Sequence, residues 1–324
     1  MVVLAALASP FAISRAATAA FGEHDAQVGQ TPLALGATLT MPQGKGPFPA
    51  VVLVAGSGPH DRDETIGPNK PFRDIAQGLA ERGIGVLRYD KRTKAYPLES
   101  RRNPRFTIDD EYTDDAMAAV KLLQSTRGVD PHRVFVLGHS QGAQMAPRIA
   151  QRDPQIAGLI LIAAPAHPLF DEILRQVDYL AHIDSQNAAL WHEQHQQALK
   201  QSEQIAAFTP EHPEAPGPYG TTAAYWLSLR GYDAVAIAKS LKIPMLILQG
   251  GSDWHVTPLD DFSRWQGAFA HDPRVTLRQY PGLSHLMMPA GDPPSPADET
   301  RPGHVDPQVI ADIAQWIKMQ PPHR

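Results

Sequence analysis

The chain has 324 residues, 43% of them hydrophobic and 19% charged, a balance that suits one large α/β domain or two small ones with ample material for a core. The net charge of −5 and the lack of a long basic stripe argue against a nucleic-acid binder that works by neutralising phosphates. Zero cysteines exclude disulfides, thiolate metal sites and a cysteine nucleophile.

In chain order, the first segment is a leader. Met1 to Ala20 is small and apolar, carries only Arg15 as a charge, and ends in Ala16-Ala17-Thr18-Ala19-Ala20. That spacing suits a signal-peptidase site and predicts export to the periplasm or the medium. The basic residues that usually precede such a run are missing, so a misplaced start codon and a disordered leader are the alternatives. Residues 1–22 are assigned to this leader and residues 30–324 to the folded domain. No other stretch approaches the ~20 apolar residues needed to span a bilayer.

After the leader, Leu33 to Met41 predicts a strand and the Gly/Pro-rich residues 43–49 a turn. Ala50 to Ala55 is a continuous apolar strand that ends in Gly56-Ser57-Gly58-Pro59. A helix over about Phe72 to Arg82, a strand over Gly85 to Asp90 and a helix over about Asp109 to Ser125 follow. Val134 to Leu137 and Ile156 to Ala164 are further strands, with a helix over Gln141 to Gln151 between them. Helices alternating with short strands apolar on both faces predict a mostly parallel sheet covered on both sides. Between about residues 166 and 241 the alternation stops, and helical segments rich in Gln and His take over. These are expected to form a helical cap over the carboxyl edge of the sheet, the alternative being a crossover with extra helices. Strands at Ile243 to Leu248 and Val275 to Tyr280, and a helix over about Pro307 to Met319, complete the domain.

The chemistry-bearing residues lie just beyond strand ends, where open α/β sheets bind ligands. Gly138-His139-Ser140-Gln141-Gly142 is a Gly-x-Ser-x-Gly motif between a strand and a helix. A serine on so sharp a turn is strained, its neighbours must lack bulk, and its hydroxyl stands at the positive end of the helix. Asp253 follows the 243–248 strand and His285 follows the 275–280 strand. The order is Ser…Asp…His, one residue per strand end. Ser57 follows the strand beside the motif strand, where a second backbone donor is needed.

This constellation resembles the α/β-hydrolase family across about residues 33–320. More narrowly, the chain is similar to bacterial esterases described as dienelactone-hydrolase-like or serine-aminopeptidase-like. Ala55 to Asp63, Arg88 to Arg92 and Tyr225 to Tyr232 carry that similarity. Many relatives have His-Gly before the oxyanion residue, where this chain has Ala55-Gly56. A main-chain donor does not depend on that histidine.

The roles follow from charge. Ser140 is un-ionised at neutral pH and needs a base. His285 can take the proton and return it to the leaving group, and Asp253 would hold the imidazole tautomer. The backbone N–H groups of Ser57 and Gln141 would receive the oxyanion. Each assignment has a plainer rival: Ser140 as a turn serine, Asp253 as a helix cap with Asp260 or Asp261 as the acid, and His255, His271 or His304 in place of His285. His139 is expected to pack behind the turn. His60-Asp61-Arg62-Asp63, together with Arg88 and Asp90, reads as an ion-pair brace rather than a metal or phosphate site. Trp191, Tyr219, Tyr225 and Trp226 are candidates for a substrate pocket or for the packed interior of the cap.

The expected activity is hydrolysis of small or medium carboxylic esters through an acyl-serine, with no metal or organic cofactor required. The implied partner is a small-molecule ester, with neither nucleic acid nor a membrane span; the sequence carries no signal of oligomeric state. Peptidase and thioesterase chemistry use the same machinery, and a binding protein with a dead site is the reading from another class.

Overall fold

A computed structural model describes residues 20–323. Most of the leader lies outside the described residues. Among the described residues eight strands form one sheet: β1 (Phe21–Val28), β2 (Leu35–Pro42), β3 (Phe48–Val54), β4 (Gly85–Tyr89), β5 (Val129–His139), β6 (Leu159–Ile162), β7 (Met245–Gly250) and β8 (Val275–Tyr280). Their order is β1-β2-β4-β3-β5-β6-β7-β8. The β1–β2 and β2–β4 pairs are antiparallel and the rest parallel. This is the sheet of an α/β hydrolase.

The helices are α1 (Pro71–Ala80), α2 (Arg92–Ala95), α3 (Pro97–Arg102), α4 (Asp114–Ser125), α5 (Gln141–Arg152), α6 (Leu169–Ile183), α7 (Ala188–Ala207), α8 (Ala223–Leu229), α9 (Ala234–Ser240), α10 (Ser263–Phe269), α11 (Ala297–Thr300) and α12 (Pro307–Met319). Strands β3 and β6 and residues 134–138 of β5 are apolar at every position because both faces are covered. Val51 and Leu53 of β3 face Phe72, Leu79, Ile313 and Trp316 of α1 and α12. Val52 and Val54 face the layer of Val120, Met145, Ile149 and Trp265 from α4, α5 and α10. The alternation of faces along β3 follows from the two-residue repeat of a strand.

From β3 the chain runs to β4 on one side and then crosses to β5 on the other, so β3 has β4 and β5 as its two neighbours. That reversal opens a crevice at the carboxyl ends of β3 and β5. Four helices, α6 to α9, lie between β6 and β7, where the cap was expected. The last of them, α9, packs against α5, so the excursion returns to the body of the domain before residue 241.

Three local differences from the sequence expectations have physical reasons. Strand β1 begins at Phe21, inside the segment assigned to the leader and before residue 30. As an edge strand with a largely solvated face it mixes Glu23, His24, Asp25 and Gln27 with few apolar residues, so it gives no alternation signal. The helix expected from Asp109 opens with a wide turn over Asp109–Thr113 before α4 begins. The helical run expected after about residue 166 is broken at Asp184, which accepts hydrogen bonds from Asn187 and Trp191.

Candidate active site

The turn from β5 into α5 puts Ser140 at φ 53° and ψ −124°, a region that side-chain-bearing residues rarely occupy. The neighbours make it possible. A Cβ on Gly138 would stand 2.3 Å from the Gly142 carbonyl oxygen, and one on Gly142 would stand 2.2 Å from that of Val54. Only glycine lets α5 start this close to β3. The Ser140 N–H bonds to the Ile162 carbonyl at 2.9 Å, which fixes the turn to β6.

His285 lies in the loop after β8. Its Nδ1 is 2.8 Å from Oδ2 of Asp253, which lies in the loop after β7. Asp253 also accepts from Gln249 Nε2 at 3.1 Å and from the backbone N–H groups of His255 and Val256 at 2.9 and 3.0 Å. Burial disfavours its charge, but His285 and these donors hold the carboxyl below the ordinary range. Burial is also the largest influence on His285, and with His139 and His255 nearby it keeps the imidazole below its ordinary value despite Asp253. The ring is therefore neutral at neutral pH. Ser140 and His285 line the same cavity of about 940 Å³. Among the described residues no hydrogen bond joins their side chains; such contacts are commonly open before substrate binds.

The rival acids are engaged elsewhere, and His271 is exposed in the turn ahead of β8. Asp260 and Asp261 bind Arg175, and Asp261 also accepts from the backbone of Ala166 and Thr257. His304 bonds Asp74 at the surface, while His255 borders the cavity with its ring centroid 4.7 Å from that of His285 and bonds Glu299. His139 lies behind the turn, with Nδ1 3.0 Å from Glu64 and Nε2 3.0 Å from the His285 carbonyl oxygen. Burial opposes its charge, but the Glu64 carboxylate raises it above the ordinary imidazole value.

Ser57 and Gln141 both border the cavity beside Ser140. Gln141 is the first residue of α5, where an N–H has no partner four residues back. The Ser57 N–H has no acceptor among the described residues. Its neighbour Gly56 is held on both sides. The Gly56 N–H donates to Glu64 Oε1 at 2.6 Å, and the Gly56 carbonyl accepts from Lys91 Nζ and Tyr112 Oη, each at 2.8 Å.

Of the four aromatic candidates, Tyr219, Tyr225 and Trp226 line the cavity and Trp191 does not. Trp191 instead donates its indole N–H to Asp184 at 3.1 Å, closing the break between α6 and α7. The expected brace is present: Arg62 pairs with Asp90, and Asp63 pairs with both Arg88 and Lys70. Glu64, Lys91, Glu111, Tyr112 and Glu172 are buried around the cavity but were not singled out from the sequence. Only Lys91 stood in a stretch already marked, the Arg88–Arg92 run.

Residues 66–292 match the family described as Serine aminopeptidase, S33. The chain is 40% identical over 297 residues to Esterase EstD of Thermotoga maritima, covering 92% of this chain and 68% of that protein. Among solved structures it is similar to Est1E from Butyrivibrio proteoclasticus, with a TM-score of 0.54 and 16% identity over 91% of this chain and 98% of that one. It is also similar to a puromycin-hydrolysing peptidase of Mycobacterium tuberculosis, with a TM-score of 0.56 and 18% identity over 93% of this chain and 40% of the other. At these identities the two structures speak to the fold alone. The sequence match and the relative together show that this chain is a hydrolase of the serine aminopeptidase family with the α/β-hydrolase fold.

Proposed function

We propose that the protein is a serine carboxylesterase acting on small or medium esters, with Ser140 as nucleophile, His285 as base and Asp253 as the acid that orients it. The observation that carries this is the Asp253–His285 pair opening onto the cavity that holds the strained Ser140. Its similarity to Esterase EstD supports ester over other acyl substrates.

In the reaction the Ser140 hydroxyl passes its proton to His285 Nε2 as Oγ attacks the ester carbonyl. The carbonyl oxygen becomes an anion received by the Ser57 and Gln141 N–H groups. The C–O bond to the alcohol then breaks, and His285 returns the proton to the departing oxygen. Water, activated by the same imidazole, hydrolyses the acyl-Ser140 and restores the free hydroxyl.

The test compares wild type and Ser140→Ala on p-nitrophenyl esters of increasing acyl length, a matched thioester and an aminoacyl amide. Turnover should peak on short or medium esters and fall for long chains. Ser140→Ala should lose fluorophosphonate labelling and about 10⁶-fold in kcat, the scale seen when such a nucleophile is removed. Faster hydrolysis of the amide than of the ester would move the assignment to a peptidase.

A further inference from the structure

Gly56 C=O and Ser57 N–H belong to one rigid peptide unit, so what grips the carbonyl sets the direction of the N–H. The grip comes from two buried side chains. Lys91 and Tyr112 are 3% and 1% exposed, and both reach Gly56 O at 2.8 Å. Lys91 is held in turn by Glu111 Oε1 at 2.9 Å, whose other oxygen accepts from Tyr225 Oη at 2.7 Å. The Tyr112 hydroxyl is also 2.8 Å from Gln141 Oε1, while Gln141 Nε2 has no partner among the described residues. Turning that amide would place its NH₂ against the phenol oxygen and free the single hydroxyl proton for Gly56.

We propose that Lys91 and Tyr112 are positioning residues that aim and polarise the Ser57 N–H toward the oxyanion. A cationic donor and a phenol on the carbonyl draw electron density along the peptide and make its N–H a stronger donor. Glu64 takes the Gly56 N–H, so the preceding peptide unit is held as well. The arrangement strengthens only when the substrate oxygen becomes negative, so it acts on the transition state rather than on substrate binding.

This rests on the assignment of Ser140 and Ser57 above, and the experiment separates the two. Tyr112→Phe should lower kcat by about tenfold with KM nearly unchanged, as expected for a contact made in the transition state. Its affinity for a trifluoromethyl ketone, which forms an oxyanion on Ser140, should fall in parallel. The carbonyl stretch of a stalled acyl-enzyme should move to higher frequency. The acid limb of the pH profile should stay in place, since His285 is untouched. Should Tyr112→Phe not fold, the double variant Lys91→Met with Glu111→Gln carries the same measurements without leaving a buried charge unpaired. Wild-type ketone affinity and an unshifted carbonyl stretch in a folded variant would overturn the proposal while leaving the nucleophile intact. Labelling that survives Ser140→Ala would instead overturn the site on which it rests.

Discussion

At His285 two influences oppose each other, and their balance fixes the working pH. Desolvation disfavours the imidazolium, and nearby His139 and His255 add to that, while Asp253 favours it; the net direction is down from 6.5. A base must be neutral to accept a proton. The acid limb of kcat/KM should therefore fall below pH 6.5, and activity should persist into mildly acidic solution. A pH–rate profile with its limb at or above that value would contradict the electrostatic account of this ring. The three residues of the candidate triad were legible because each follows a strand end, where chain order alone implies convergence. Glu64, Lys91, Glu111 and Tyr112 were not. Each is a buried polar group with partners distant in sequence, and no periodicity marks such a residue before the partners meet.

The junction of β5 and α5 shows what an element demands of its sequence. Strand and helix are separated by one residue, so the first turn of α5 lies against the end of β3. Gly142→Ala would drive a methyl group into the Val54 and Ala55 carbonyl oxygens, at 2.2 and 2.6 Å, and backbone cannot yield as a side chain can. It should cost at least about 4 kcal/mol and leave little folded protein, which urea titration would measure. A Gly142→Ala protein as stable as wild type would mean that α5 can be shifted off β3. Elements with a two-sided apolar surface, such as β3 and the later part of β5, were readable because burial leaves an unbroken run. Strand β1 and the broken helix at Asp184 were not, since one is solvated at an edge and the other is set by local side-chain bonds. Trp191 was drawn to the pocket by its chemistry alone, yet it serves the helix break.

The cavity is a property of the whole molecule, walled by the β3 and β5 turns, the 93–106 segment and the helices between β6 and β7. One buried cluster ties those helices to the body. Glu172 of α6 sits beside Asp261, and Arg175 bridges both carboxyls. Burial and the Asp261 charge push the Glu172 carboxyl up to about 9 from its ordinary 4.5. A group that holds its proton in the folded state and loses it on unfolding contributes less stability as pH rises from 4.5 towards 9. Glu172→Gln, a neutral isostere of the protonated acid, should therefore raise Tm relative to wild type at pH 8 and do so much less at pH 5. Thermal scans at the two pH values check this, and an equal difference at both would show that Glu172 is already ionised in the fold. A separate consequence attaches to His139, which joins the strand carrying Ser140 to the loop carrying His285 through one planar ring. The ring acts as a spacer of fixed width. The residue before Ser140 and the loop that carries His285 are thus braced against each other from behind, by a contact that involves none of the helices between β6 and β7.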